Sequence, residues 1–402
     1  MNQDQLGGIV RAIFPPLVTY LVAKGIVPAG SADSVISAAV AIAAATWSVV
    51  NNKTGKVIGA EALLRWQHSE RGLLPPGMFL PVIEDHPLAV QLGEWVIESA
   101  LTQMESWLGE GFELPVSVNV SAIELQQADF ADRVRAHLAA HPHVKPANLE
   151  LEVVETNAVQ DVMRTSQVLT ACREIGVAIG LDDFGTGYSS LTYLKRLPAN
   201  VLKIDQSFVR DMLEEPENLT ILEGVLGLAA AFHRTVIAEG VETPEHGLML
   251  LQMGCDLAQG FGIAASMPAR ELRGWATTWR PDPRWAEVPV VRAENRPVLL
   301  AAVEHRAWLG ALEASLQGKR AVPPPLDASV CRVGMWLEDE KRSSRGTDSA
   351  VLAIESLHRQ IHELASEIVA SKADGPNPEG AASLRQLHYL QDKCLKRLKT
   401  FA

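Results

Sequence analysis

Hydrophobic and polar positions fall into three regimes along the chain. From Ile9 to Val27 the residues are mostly apolar, interrupted by Arg11, Lys24 and the pair Pro15-Pro16. After a turn at Pro28-Ala29-Gly30, Ser31 can cap a second helix, and Val35 to Val50 carries no charge. That second run is 16 residues long, a little short of the roughly 20 that cross a bilayer. Neither run has a broad polar face, so both require burial in lipid or in protein. The favoured expectation is a hairpin contacting the membrane through residues 9–50, with Lys53 and Lys56 placing both ends on the cytoplasmic side. A cleaved signal peptide fits poorly, given Asp4, a single early basic residue and the proline pair.

From Gly59 to about Pro268 short apolar runs alternate with helix-length segments. Strands are predicted at 116–120, 149–154, 177–181, 201–204 and 235–238, and helices at 88–108, 158–175 and 221–232. Alternating units of this kind form a parallel sheet covered by helices. Polar residues stand at or just after the strand ends: Asn119, Glu152, Asp182, Asp183, Lys203 and Glu239. In a TIM-like (β/α)8 barrel those ends converge on one face, which fits better than an open doubly wound sheet. Beyond a Trp- and Pro-rich stretch, four helices are predicted at 294–317, 328–341, 348–371 and 381–400, a small all-α bundle. The resulting division is 1–50, apolar hairpin; 51–275, barrel; 276–296, linker; 297–402, helical bundle.

Composition changes this picture little. The formal net charge of -12 argues against nucleic acid as a partner, so an anionic substrate needs a metal or a placed cation. Four separated cysteines with no C-x-x-C pair point to a reducing compartment. No P-loop is present, which leaves nucleoside triphosphate hydrolysis unsupported.

The carboxylates of the central region carry the chemistry. Glu61 lies in GAEALLRW, Glu152 in LELEVVET, Asp182-Asp183 end VAIGLDD, and Glu239 and Glu242 lie in VIAEGVE. An adjacent Asp pair at a strand end can bridge two cations, and oxygen ligands without local His or Cys favour Mg²⁺ or Mn²⁺. Two such ions activate water and clamp phosphoryl oxygens during in-line attack.

These words, with SVNVSAIEL, DDFGTGYSSLTYL, LKIDQSFV and CDLAQGFGIA, resemble the EAL family of cyclic di-GMP phosphodiesterases over about 57–270. The resemblance implies hydrolysis of cyclic di-GMP to linear pGpG by two Mg²⁺ or Mn²⁺ ions, in a homodimer. It implies Glu61, Asn119, Glu152, Asp182, Asp183 and Glu239 as metal ligands, with Glu242 and Gln259 as outer orienting groups. Lys203 matches the lysine beside the attacking water, and Arg65 the arginine that grips a substrate phosphate. Glu155 and Asp205 match the supports of the DDFGTG loop, where Gly185 and Gly187 permit tight turns.

The chain departs from that pattern in three places. Val154 replaces a common Thr, and 261–268 replaces the usual aromatic and Arg-Pro sequence. The family's first strand is matched only by Ala45-Thr46-Trp47-Ser48-Val49-Val50, residues that the apolar pattern assigns to the second helix. Either they form a divergent first strand and shorten that helix, or the barrel lacks the strand and is left with unpaired edges. The second case, or damage to the loop at 261–268, favours a cyclic di-GMP receptor that turns over poorly and transmits zinc or redox state to a partner. A membrane or scaffolding protein acting through its N-terminus is the third reading, and it leaves the carboxylates unexplained.

In the bundle, His305, Cys331, His358 and His362 suit one tetrahedral Zn²⁺, since H-x-x-x-H puts two ligands on one helix face. HRAW, CRVGMW and HRQIH resemble the chemoreceptor zinc-binding domain over about 297–370, which implies a zinc-binding regulatory module. Cys331 is also the obvious redox-sensitive group, whereas Trp308 and Trp336 read as core. Residues 1–50 resemble, by pattern, two-helix holin-type modules of phages. The expected location is therefore cytoplasmic for both folded regions, anchored at the inner membrane face.

Overall fold

The computed structural model describes residues 45–68, 71–155, 161–186, 191–292, 295–343, 348–373 and 380–401. Eleven strands are found among them: β1 Ala45–Asn51, β2 Lys56–Leu63, β3 Trp66–His68, β4 Gly72–Leu74, β5 Val116–Val120, β6 Leu149–Val154, β7 Ala178–Phe184, β8 Val201–Ile204, β9 Thr235–Ala238, β10 Leu257–Ala258 and β11 Met267–Pro268. The chain forms two compact units. One contains the described residues up to Val209 with Val225–Leu251 and Cys255–Val288; the other contains Arg210–Gly224, Gln252–Gly254 and the residues from Pro289 onward.

The first unit is a closed barrel. Strands β2, β5, β6, β7, β8, β9 and β10 lie side by side in parallel, and β1 closes the ring between β10 and β2. Between the strands run α1 Leu80–Ile83, α2 Leu88–Gly109, α3 Ala122–Leu125, α4 Phe130–Ala140, α5 Val162–Ile175, α6 Leu191–Arg196, α7 Gln206–Arg210, α8 Pro216–Ala231 and α9 Pro244–Met253, with α10 Ala269–Thr278 after β11. Helix α5 shows why its ends fall where they do. Asp161 accepts from the Arg164 N–H at 3.2 Å as N-cap, and Gly176, at φ 104°, terminates it.

Strand β1 runs against its neighbours, and the reason is local. Only Asn52-Lys53-Thr54-Gly55 separate it from β2, and so short a loop joins antiparallel strands. Asn51 Oδ1 accepts from Thr54 N–H at 2.8 Å, and Gly55 takes φ 68° while donating to the Asn51 carbonyl. Val50 is fully buried. These findings correct one expectation: residues 45–50 are strand, so no apolar helix continues to Val50. Barrel strand is thus described from Ala45 on, rather than from 51. What precedes Ala45, including the rest of the expected hairpin, lies outside the described residues. Among those described, no helix is long and apolar enough to cross a membrane.

Strand alternation places the chemistry. On β6, Leu149, Leu151 and Val153 are buried on one face, while Glu150 and Glu152 share the other and point into the barrel with Lys203. At the far end of the unit, residues 276–288 are more than a linker. Trp285 is buried, its indole N–H donates to the Pro244 carbonyl at 2.8 Å, and a side chain at Gly247 would collide with its ring.

The second unit is helical: α11 Arg296–Leu316, α12 Arg332–Arg342, α13 Ser349–Ala373 and α14 Gly380–Leu398. Its core includes Leu312, Val333, Val351, Ile354, Ile361 and Leu387, together with Trp308 and Trp336. The turn expected at 375–378 lies outside the described residues.

A buried position in β1 tests the strand assignment. Val50→Asp places an unpaired carboxylate in the barrel wall and is expected to destabilise the first unit by roughly 3 kcal/mol. Urea unfolding of the full chain checks this; an unchanged midpoint would remove β1 from the barrel.

Candidate metal centres

One ammonium stands at the middle of the carboxylates. Lys203, on β8, is fully buried and places Nζ 2.7 Å from Glu239 Oε1, 2.9 Å from Glu152 Oε2, 3.1 Å from Glu61 Oε2 and 3.3 Å from Asp182 Oδ1. Those four acids come from β2, β6, β7 and the residue after β9, and each is at most 9% exposed. Asn119 Nδ2 donates to Glu61 Oε1 at 2.9 Å. Gln259 Nε2 donates to Glu61 Oε2 at 2.9 Å and to Glu239 Oε1 at 2.8 Å. Seven side chains from seven consecutive barrel positions thus meet at the C-terminal mouth, where a parallel barrel delivers its strand ends.

The charges do not balance internally. With Asp183, five carboxylates gather at the mouth against one ammonium, an excess of acid that divalent cations would offset. Candidate ligand oxygens of Glu61, Glu152 and Asp182 lie within 4.8 Å of one another, as do those of Asp182, Asp183 and Glu239. The donor set is all oxygen and fits Mg²⁺ or Mn²⁺.

Titration follows from the crowding. Burial works against the charge of Glu61, but attraction to Lys203 and hydrogen bonds from Gln259, Asn119 and Lys203 outweigh it and hold the carboxyl below its ordinary range. Burial, reinforced by Glu61, pushes Glu152 well above that range. Burial raises Asp182, with Lys203 only partly opposing it. Burial and the neighbouring Asp182 and Asp205 bring Asp183 to about 6, and burial brings Glu239 to about 8. For Lys203 burial is overcome by its four acidic neighbours, which hold the ammonium well above its usual value.

The remaining expected residues sit around this centre. Arg65 is half-buried two residues past β2; Nη1 donates to the Leu64 carbonyl at 2.8 Å and Nη2 approaches Ser266 Oγ at 3.4 Å. Glu155 is buried, and its Oε2 accepts from Gly185 N–H at 3.0 Å; Asp183 takes φ 55° where the strand turns into that loop. Asp205 Oδ1 accepts from Ser207 N–H at 3.0 Å. Gly187 lies outside the described residues. Glu242 is exposed and is not gathered with the carboxylates around Lys203. Beside Asn119 a cavity of about 410 Å³ opens, lined by Leu63, Leu64, Ile83, Ser121 and Val154 among others.

Sequence reasoning passed over two residues here. Glu150 shares a strand face with Glu152, and burial raises its carboxyl to about 7; the LELE alternation carried that signal. Ser266 has no pattern that would have revealed its contact with Arg65.

The helical unit holds a second constellation. His305, Cys331, His358 and His362 are all buried, with ligand atoms within 4.8 Å of one another. Cys331 Sγ lies 3.0 Å from His358 Nε2. Both ring nitrogens of His305 and Nε2 of His362 are buried without a hydrogen-bond partner, while His362 Nδ1 donates to the Leu326 carbonyl at 2.9 Å. Burial depresses the three imidazoles, His358 to about 3, and keeps them neutral as metal ligation requires. The C-x-x-G word has a steric cause: a Cβ on Gly334 would lie 1.9 Å from the Ala328 carbonyl oxygen. Orphaned imidazoles beside a thiol fit one Zn²⁺.

Comparison with known proteins finds a family match over the region of each site. The EAL domain family matches residues 47–266, over half of the chain, and the chemoreceptor zinc-binding domain family matches 305–369. The bacteriophage holin Pam3 gp28 family matches 3–54, overlapping β1. Among curated relatives, the bifunctional diguanylate cyclase/cyclic di-GMP phosphodiesterase MucR of Pseudomonas aeruginosa is 42% identical over 219 residues, 54% of this chain and 32% of that protein. The cyclic di-GMP phosphodiesterase NbdA of the same organism is 38% identical over 243 residues, 60% of this chain and 30% of that protein. The chain spans about a third of the length of these relatives. Of solved structures, the PaMucR phosphodiesterase in complex with c-di-GMP is 41% identical, with a TM-score of 0.55, covering 57% of this chain and 92% of that one. The EAL domain of Mycobacterium smegmatis DcpA is 32% identical, with a TM-score of 0.51, covering 60% and 98%. The family match begins within β1, ends just before β11 and takes in every carboxylate gathered around Lys203: this chain belongs to the EAL domain family.

Proposed function

We propose that this chain is a metal-dependent phosphodiesterase that opens cyclic di-GMP to linear pGpG. The observation that supports this reading best is the set of five carboxylates around one buried ammonium, which calls for two divalent cations at the barrel mouth. Glu61, Asn119, Glu152, Asp182, Asp183 and Glu239 would hold them, and the bound cations would supply an acidified water and neutralise phosphoryl oxygens. The chain's own groups do the rest. Lys203 holds four carboxylates in register and offsets phosphate charge; Gln259 orients Glu61 and Glu239; Arg65 presents a guanidinium for a substrate phosphate. Glu155 fixes the start of the DDFGTG loop through Gly185, and we assign that loop to a homodimer contact. The receptor alternative drew its main support from a missing first strand, and β1 removes that support.

Glu61→Gln is expected to lower pGpG formation by at least about 100-fold in Mg²⁺ or Mn²⁺, with cyclic di-GMP binding retained. Undiminished turnover in that variant would sink the dimetal mechanism. The raised carboxyls give a pH prediction with a definite sign. Protons on Asp183, up to about 6, and Glu239, up to about 8, compete with cations, so Mn²⁺ affinity should climb with pH to about 8 and then level off. By the same linkage, cation-free protein should lose stability as pH rises from Glu239's reference 4.5 toward 8, because the folded state there binds more protons than the unfolded chain. Calorimetric Mn²⁺ titrations and melting curves across pH 5–9 test both; flat profiles would contradict them.

For the helical unit we propose one Zn²⁺ on His305, Cys331, His358 and His362 that regulates hydrolysis. Metal analysis should find about one zinc per chain, and Cys331→Ala should remove it and lower the melting temperature by roughly 5 °C or more. If neither chelation nor that variant changes turnover, zinc has no regulatory role.

A further inference from the structure

We infer that Ser266 is a positioning residue for Arg65 and sets the grip on a phosphate of the cyclic dinucleotide. This rests on the hydrolase reading above. Arg65 Nη1 is tied to the carbonyl of its own neighbour Leu64, and Ser266 Oγ accepts from Nη2. The two contacts take two of the guanidinium's five N–H donors and fix the direction of its plane, leaving the others for a bidentate anion. Glu61 lies close enough to oppose, by attraction, the effect of burial on Arg65, so the cation stands at the edge of the metal centre.

Ser266 can direct a long side chain because its loop is held at both ends. At the start, Gln259 N–H donates to the Ala238 carbonyl at 2.9 Å, and its side chain binds Glu61 and Glu239. Gly262 N–H donates to the Val241 carbonyl at 2.8 Å. A Cβ would come within 2.3 Å of Val241 N at Gly260 and within 2.6 Å of the Glu242 backbone at Gly262, so the loop lies directly on the preceding one. At the other end Met267 pairs with Thr46 and Pro268 with Ala45 on β1. Ser266 is the last residue before that pairing. One short loop therefore ties the residue orienting the metal ligands, Gln259, to the residue orienting the phosphate cation. At 3.4 Å the Arg65–Ser266 contact is long, so its effect should be moderate and confined to binding.

The experiment is steady-state hydrolysis of cyclic di-GMP by the full chain carrying Ser266→Ala, Ser266→Thr, Arg65→Ala and the Ser266→Ala/Arg65→Ala pair. Ser266→Ala should raise KM about 3- to 10-fold with kcat within twofold, while Ser266→Thr restores KM. In the Arg65→Ala background the Ser266→Ala change should add nothing. An unchanged KM, a loss confined to kcat, or an equal effect without Arg65 would overturn the assignment. The same series read as Kd for cyclic di-GMP in Ca²⁺ separates the two readings. Wild-type protein that binds but does not hydrolyse defeats the hydrolase reading, and the Kd series then decides Ser266; no binding at all defeats both.

Discussion

The buried ammonium of Lys203 is the interaction on which the barrel unit depends. Four carboxylates from four strand ends converge on it within 3.3 Å, and without it their repulsion would splay the barrel mouth. The reverse dependence is as strong, because an isolated ammonium at that depth would lose its proton to desolvation. One cation cannot balance five acids, so the arrangement remains poised for more positive charge. Burial, reinforced by neighbouring acids, raises Glu152, Asp183 and Glu239, so they hold protons when cations are scarce, and the donor set that results fits hard divalent ions.

Closure of the ring is what brings the convergence about. Strand β1 supplies it by running antiparallel between β2 and β10, and by accepting β11 against its first residues. Through β11 it also fixes the far end of the loop that carries Gln259 and Ser266. A segment whose apolar character looks like part of a membrane helix therefore reaches the barrel mouth in two ways, as barrel wall and as an anchor for the loop of Gln259 and Ser266.

The helical unit solves a similar problem with softer chemistry. Three neutral imidazoles and a thiol are buried together, with nitrogens left unpartnered, a donor set that fits a cation. Gly334 allows the Cys331 turn to approach the Ala328 carbonyl, and Leu326 fixes the ring of His362. With the proposed cations bound, folding and metal affinity would be coupled in both units, through oxygen donors in one and nitrogen and sulfur donors in the other.

The sequence by itself determined the alternating units, the strand-end polar residues, the four bundle helices and the acidic, histidine and cysteine residues that the fold gathers. Those signals are local: period-two and period-3.6 alternation, and short words such as LELEVVET or HRQIH, are legible without knowing what packs against them. The fate of Ala45–Val50 was not legible, because an uncharged run of small, aromatic and β-branched residues suits a buried strand and a buried helix equally, and only the open edges of β2 and β10 decide between them. Glu242, three residues past Glu239, was indistinguishable from it by pattern, yet the turn after β9 leaves it exposed. Ser266 is separated by 201 positions from Arg65. Which residues meet over such a separation is set by strand register and loop closure, and those are properties of the folded ring.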